Sequence, residues 1–218
     1  AVVAAAPVVA EASALAAGDA AWERRAEGQA DGRARPGPIA EAVAAYEQAV
    51  AESPQSLEAH WKLLRALWFA GDFAAPDEKA EKARYERGQE VSEQAFAVLA
   101  ARAGGPEALE KARPDELPAK IPAPEHADAA RVYFWSAVNL GAWSRVAGLL
   151  QAVRAGVANR LHEDTGRAVA LDPGLEQGGP LRLLSRLHAE LPKVPFLSGF
   201  VDRSKAMPLA EKALREYP

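Results

Sequence analysis

A spacing of five recurs along this chain: a small residue, four further positions, then proline or glycine. It is read at Ala49–Pro54 (AVAESP), Ala83–Gly88 (ARYERG), Ala168–Pro173 (AVALDP) and Ala213–Pro218 (ALREYP). A small side chain near the end of a helix lets a partner helix approach closely, and proline or glycine then stops that helix. The first two copies begin 34 residues apart, a period of stacked helical hairpins. Such a chain buries the shared faces of its helix pairs. The functional question then moves from catalysis to what the inner face of the stack holds.

Composition supports the helical reading. One threonine (Thr165) and two isoleucines (Ile39, Ile121) leave valine as the only common β-branched residue, while Ala, Leu, Glu and Arg, all strong helix formers, dominate. No run alternates apolar and polar residues as a strand would. The expected class is all-α, and 218 residues are enough for a single helical-repeat domain spanning 1–218. A Pro-rich insertion at about 104–124 interrupts it, where five prolines (106, 114, 118, 122, 124) forbid a long helix. Only Pro106 to Ala112 has room for a turn or two, and the rest reads as a surface connector.

Charge and cysteine content exclude several classes. Lys and Arg total 26 against 30 Asp and Glu, a net charge of −4 without a basic stripe, so a nucleic-acid partner is not expected. The absence of cysteine removes disulfides, thiol nucleophiles and thiolate metal sites. No charge-free run of 18 apolar residues spans a bilayer. The opening AVVAAAPVVAEASALAAG has neither a basic n-region nor an initiating Met, and reads as the start of a processed or trimmed chain with an envelope address. Ending at the closing proline of a repeat leaves an outer helix face for further chain, a neighbour or the N-terminal helix to cover.

Helices are expected over about 11–27 (Leu15, Trp22 and Ala26 on one face), 39–52, 56–70, from Pro76 toward Ala103 unless Gly88 breaks it, from about His126, and over 160–171, 180–191 and 204–217. Gly71-Asp72 is read as the stop after the third of these. In the second, Ala42, Tyr46 and Ala49 share a face. With Pro54 they match the small, aromatic, small and closing-proline positions of a tetratricopeptide second helix.

Chemistry is sparse. Among His60, His126, His162 and His188 no pair has i, i+3 or i+4 spacing, so no zinc motif exists. His162-Glu163-Asp164 reads as a solvated helix start, and His60 as a satisfied core or groove histidine. The pairs Gly104-Gly105 and Gly178-Gly179 are turns, without the strand and Lys-Ser/Thr of a phosphate cradle. With no nucleophile–base constellation, the chain is read as a non-enzyme without catalytic residues, cofactor or metal. Aromatic density stands out instead. Trp61, Trp68 and Phe69 lie in one helix, and Tyr133, Phe134, Trp135 and Trp143 in another, where Trp135, Asn139 and Trp143 step by four along one face. These rings either pack between hairpins or line an apolar cavity oriented by a polar group. The loop PKVPFLSGF adds Phe196 and Phe200, as buried anchors or as a lid. The candidate ligand residues are therefore Trp61, Trp68, Tyr133, Trp135, Asn139, Trp143, Phe196 and Phe200.

The segments GDAAWERR (Gly18 to Arg25), AVAAYEQAVAESP, RALWFAGDF (Arg65 to Phe73), VYFWSAVNLGAW (Val132 to Trp143) and LPKVPFLSGF (Leu191 to Phe200) together resemble the T component of tripartite periplasmic transport systems. The resemblance covers most of the chain in order. It implies a periplasmic, outer-membrane-associated tetratricopeptide protein that works beside a substrate-binding protein and encloses an apolar channel, with homo-oligomers in some members. It also implies association with lipids, sterols or hopanoids, and an N-terminal lipid anchor whose lipobox cysteine is not in this sequence. The reading that follows is a hydrophobic small-molecule carrier. The alternative is a tetratricopeptide scaffold gripping a protein or peptide.

Overall fold

The computed structural model describes residues 6–194 and 198–218, with side chains from Ala14 onward. All regular structure among these residues is helical. In chain order the helices are α1 (Ala6–Glu23), α2 (Pro36–Glu52), α3 (Leu57–Ala74), α4 (Glu78–Arg102), α5 (Pro106–Glu110), α6 (Leu117–Lys120), α7 (His126–Ala147), α8 (Leu149–Arg154), α9 (Val157–Leu171), α10 (Leu175–Glu190) and α11 (Ala206–Glu216). Short 3-10 turns lie at Pro114–Glu116, Ala123–Glu125 and Arg203–Lys205. The chain divides into two compact units, one up to Val98 and one from Leu99.

In the first unit α2 packs on α1 and α3. It begins at Pro36, earlier than expected, because a proline in the first turn gives up only an N–H that has no helical partner. Ile39, Ala42, Tyr46 and Ala49 supply its buried face, against a core that includes Leu63, Leu64 and Leu67. Ser56 caps α3, its Oγ accepting from the Ala59 N–H at 3.2 Å. Gly71 does not stop α3, which continues to Ala74. The reason is the partner ring: a Cβ on Gly71 would sit 2.5 Å from Tyr85, so the glycine is the floor on which that tyrosine lies. Asp72, the next residue, accepts from the Tyr85 hydroxyl at 3.2 Å. The same device occurs between α1 and α2. A Cβ on Gly18 would meet Tyr46 at 2.4 Å, and the Tyr46 hydroxyl donates to Asp19 at 2.8 Å.

Three copies of the five-residue spacing end helices in the same way. The N–H groups of Ser53, Asp172 and Tyr217 donate to the carbonyls of Ala49, Ala168 and Ala213 at 2.9, 2.9 and 3.0 Å. All three alanines are buried. The Ala83 copy is different: Ala83 is exposed, and Gly88 lies buried inside the continuous α4. Gly88 follows Tyr85 by three positions, as Ala49 follows Tyr46. The small residue of α4 is therefore Gly88, 39 positions after Ala49 rather than 34.

In the second unit α9 packs on α7 and α10, and α10 on α11. The Pro-rich insertion is more than a surface connector. It breaks into short turns because of its prolines, yet buries Leu109, Ala112, Leu117 and Ile121, with α6 and the Pro114–Glu116 turn against α9. His126 fastens its end, the Nε2–H reaching the carbonyls of Pro118 and Ile121 at 3.0 and 2.9 Å. At the start of α10, Glu176, Gln177 and Gly178 have φ of 50°, 56° and 76°. The regular helix therefore begins at Gly179-Pro180, close to the expected position. The Arg182 guanidinium donates to the carbonyls of Glu176 and Gln177, holding this left-handed turn.

Candidate functional site

α7 carries four of the eight candidate residues, and all four are buried: Tyr133 at 0 %, Trp135 at 7 %, Asn139 at 0 % and Trp143 at 9 % exposure. The Phe134 ring meets Trp135 edge-on at 5.1 Å and closes over Gly179, where a Cβ would come within 3.1 Å of it. Asn139 turns its Nδ2–H back to the Trp135 carbonyl, 2.8 Å away and one helical turn earlier, so its amide braces the tryptophan's own backbone. Ser136 and Trp143 share this stripe. Ser136 Oγ and Trp143 Nε1 are buried without a hydrogen-bond partner among the described residues, an uncommon condition for a donor.

Beside this stripe lies a polar cluster the sequence did not reveal. Asp164 belongs to the middle of α9, which starts at Val157, and not to a solvated helix start: it is buried while Glu163 is exposed. Burial pushes its carboxyl up to about 7, against the opposing pull of Arg167 and Arg160. The Arg167 guanidinium lies 5.5 Å from the centroid of the Tyr133 ring and donates to the Leu109 carbonyl at 3.4 Å. Burial also raises the Tyr133 phenol, so it stays protonated. Thr165 Oγ1, next in the chain, is buried without a partner among the described residues. The i−4 and i+3 spacing of Arg160 and Arg167 about Asp164 was the available signal.

His162 and His188, 26 positions apart in sequence, come together in the fold. Their ring centroids are 5.9 Å apart, and Phe200 stacks on His162 at 4.0 Å and 21°. His188 Nδ1 accepts from the Asp202 N–H at 3.1 Å, which places its proton on Nε2. Burial lowers both histidines, with Lys205 adding to the effect. Phe200 is thus an anchor for the loop before α11. Phe196 lies outside the described residues.

In the first unit Trp61 is buried and Trp68 is half-buried. Trp61 faces the Arg65 guanidinium at 4.9 Å, and Arg65 also covers Trp22 at 4.0 Å. Trp68 meets Phe73 edge-on at 5.7 Å, and Phe73 leans on Phe69 at 4.8 Å. His60 is buried, its Nδ1–H on the Ser56 carbonyl at 2.7 Å, and burial lowers its basicity. Lys62 is held by Asp19 and Glu58 at 2.8 and 2.7 Å.

Among the described residues, each unit has a hollow. One of about 90 Å³ is an apolar groove among α2, α3 and α4, lined by Ile39, Val43, Ala70, Ala74 and Pro76 with Arg84 at its rim. The other, of about 320 Å³, opens beside Lys193, Val201, Asp202 and Arg203. Neither is lined by a candidate aromatic among the described residues. Among the described residues, no group of three or more His, Cys, Asp or Glu could hold a metal ion. No protein-family model and no curated protein matches the chain.

Proposed function

We propose that this chain is a non-enzymatic transport component of the cell envelope. In this reading it holds a hydrophobic small molecule of lipid, sterol or hopanoid type against the aromatic stripe of α7 and works beside a periplasmic substrate-binding protein. One observation carries the reading. Trp143 Nε1 and Ser136 Oγ are buried on the same stripe as Trp135 and lack partners among the described residues. An apolar wall with a few donors that need an acceptor is the chemistry of a ligand site. Flat rings offer contact area at little entropic cost, and one hydroxyl or carboxylate of the ligand would meet the indole N–H. The repeat character of the fold is supported by the Gly-Asp/Tyr contact, which occurs twice with the same geometry.

The test is a titration of the full chain with sterols, hopanoids, fatty acids and peptides, followed by intrinsic tryptophan fluorescence, with mass spectrometry of what the purified protein retains. A polycyclic or lipid-like compound is expected to bind. Trp143→Ala should abolish measurable binding. Trp143→Phe, which keeps a ring and removes only the N–H, should weaken it roughly two- to twelve-fold, as one lost hydrogen bond of about 0.5–1.5 kcal/mol does. Unchanged affinity in Trp143→Phe refutes the polar contact.

A peptide-gripping scaffold is the second reading, and the small groove beside Ile39 and Ala74 favours it, since its 90 Å³ admits a short aliphatic side chain. Binding of peptides with no response to any apolar compound selects this reading over the first.

A further inference from the structure

We infer that α8 is a membrane-docking tip that inserts Leu149, Leu150 and Val153 into a bilayer surface rich in anionic lipid. The three side chains are 82, 64 and 41 % exposed, although each is large and apolar. They sit on one six-residue helix bounded by two glycines of positive φ, Gly148 at 84° and Gly156 at 64°. A Cβ built on either glycine would meet nothing within 4 Å, and although α8 touches α7 and α9, these three side chains stay in solvent.

The charge around the tip selects the occupant. From Ser144 to Arg160 the chain carries three arginines and no Asp or Glu, in a protein whose net charge is −4. Arg145 and Arg154 flank the apolar side chains and are both exposed. A second copy of the tip docking on the first would bring like charges together. Area argues the same way. Three aliphatic side chains expose on the order of a few hundred Å², well short of the roughly 1,000 Å² a specific protein interface needs. Reversible membrane docking needs less, a few apolar side chains at the headgroup boundary with cations on anionic lipid. No helix among the described residues is long and apolar enough to cross a membrane, so the contact is interfacial. This inference does not depend on the ligand reading, since α8 lies outside the Trp135–Trp143 stripe.

The experiment is flotation of the full chain with vesicles of phosphatidylcholine alone, or with about a third of phosphatidylglycerol, at low and high salt. Wild type is expected to float with the anionic vesicles, and less so as salt rises. The triple variant Leu149→Ser, Leu150→Ser, Val153→Ser should lose at least tenfold in vesicle affinity while keeping its circular dichroism spectrum, because all three side chains are exposed. Arg154→Glu should weaken anionic-vesicle binding and leave any residual phosphatidylcholine binding unchanged. No preference for anionic vesicles, or a triple variant that floats like wild type, overturns the proposal. It is equally overturned if the triple substitution instead turns a dimer into a monomer without changing flotation. Loss of flotation with ligand binding intact separates this contact from the α7 site.

Discussion

Asp164→Asn is expected to stabilise the protein at pH 8 by about 2–4 kcal/mol and to change little at pH 4. The Asp164 carboxyl is buried in α9, and burial pushes its folded value up to about 7 from the ordinary 3.8. Between those two values the folded chain holds a proton that the unfolded chain has released. The contribution of this group to stability is therefore fully present below pH 3.8, falls as pH rises through 7, and levels off above it. Asparagine keeps the shape and removes the ionisation, so its advantage appears only on the alkaline side. Arg160 and Arg167 oppose the shift, which is why the expected gain lies below the full cost of burying a lone carboxylate. Urea unfolding of both proteins from pH 4 to pH 8 measures the difference. If the variant is the less stable at pH 8, the pull of Arg160 and Arg167 outweighs burial and the assignment is wrong.

Gly71→Leu should lower stability by about 3 kcal/mol, the upper end of the range for overpacking a closed contact. The first added carbon already falls 2.5 Å from Tyr85 Cε1 and 2.8 Å from Cζ. The ring is not free to leave, because its hydroxyl is shared by Asp72 at 3.2 Å and Glu81 at 3.1 Å. Any gain in helix propensity, about 1 kcal/mol at most, is too small to compensate. Gly37, also helical, meets nothing within 4 Å, so Gly37→Ala is the control and should be neutral or mildly stabilising. Removing the ring with Tyr85→Ala should make Gly71→Leu less costly, a coupling a double-mutant cycle reads directly. A Gly71→Leu protein as stable as wild type would show that this contact does not form.

Much of the helical framework was legible because its signals are local. Ser56 caps α3, the alanine-to-proline spacing ends α2 and α9, and proline density breaks the segment after Gly104 into turns. Readings that depended on a distant partner fared worse. Gly71 looked like a helix stop because nothing within its own segment announces a tyrosine 14 residues later. Gly88 looked like a stop for the same reason, and that set the 34-residue register. Asp164 sits in a run of polar residues, and only the packing of α9 on α7 decides which of them is buried. His162 and His188 lack any sequence spacing that would pair them, since the loop ending in Phe200 brings the aromatic that joins them. For the candidate site, the stepping of Trp135, Asn139 and Trp143 identified a buried stripe, but not that Asn139 would turn back on its own helix.

The paired Gly-Asp/Tyr contacts also set an order of events during folding. The tyrosine hydroxyl of α4 closes on Asp72 over 13 positions, whereas that of α2 closes on Asp19 over 27. Doubling a loop costs about 0.6 kcal/mol of closure entropy, or roughly a threefold difference in how often the ends meet. The α3–α4 contact therefore has the head start, and α1 joins a partly formed partner. Pulse-labelled amide exchange should find α3 and the first half of α4 protected before α1, and the reverse order would mean that something other than chain closure governs the nucleus. A glycine that looks like a weak point in its helix is, on this view, the seat on which the earlier of the two tyrosine contacts is made.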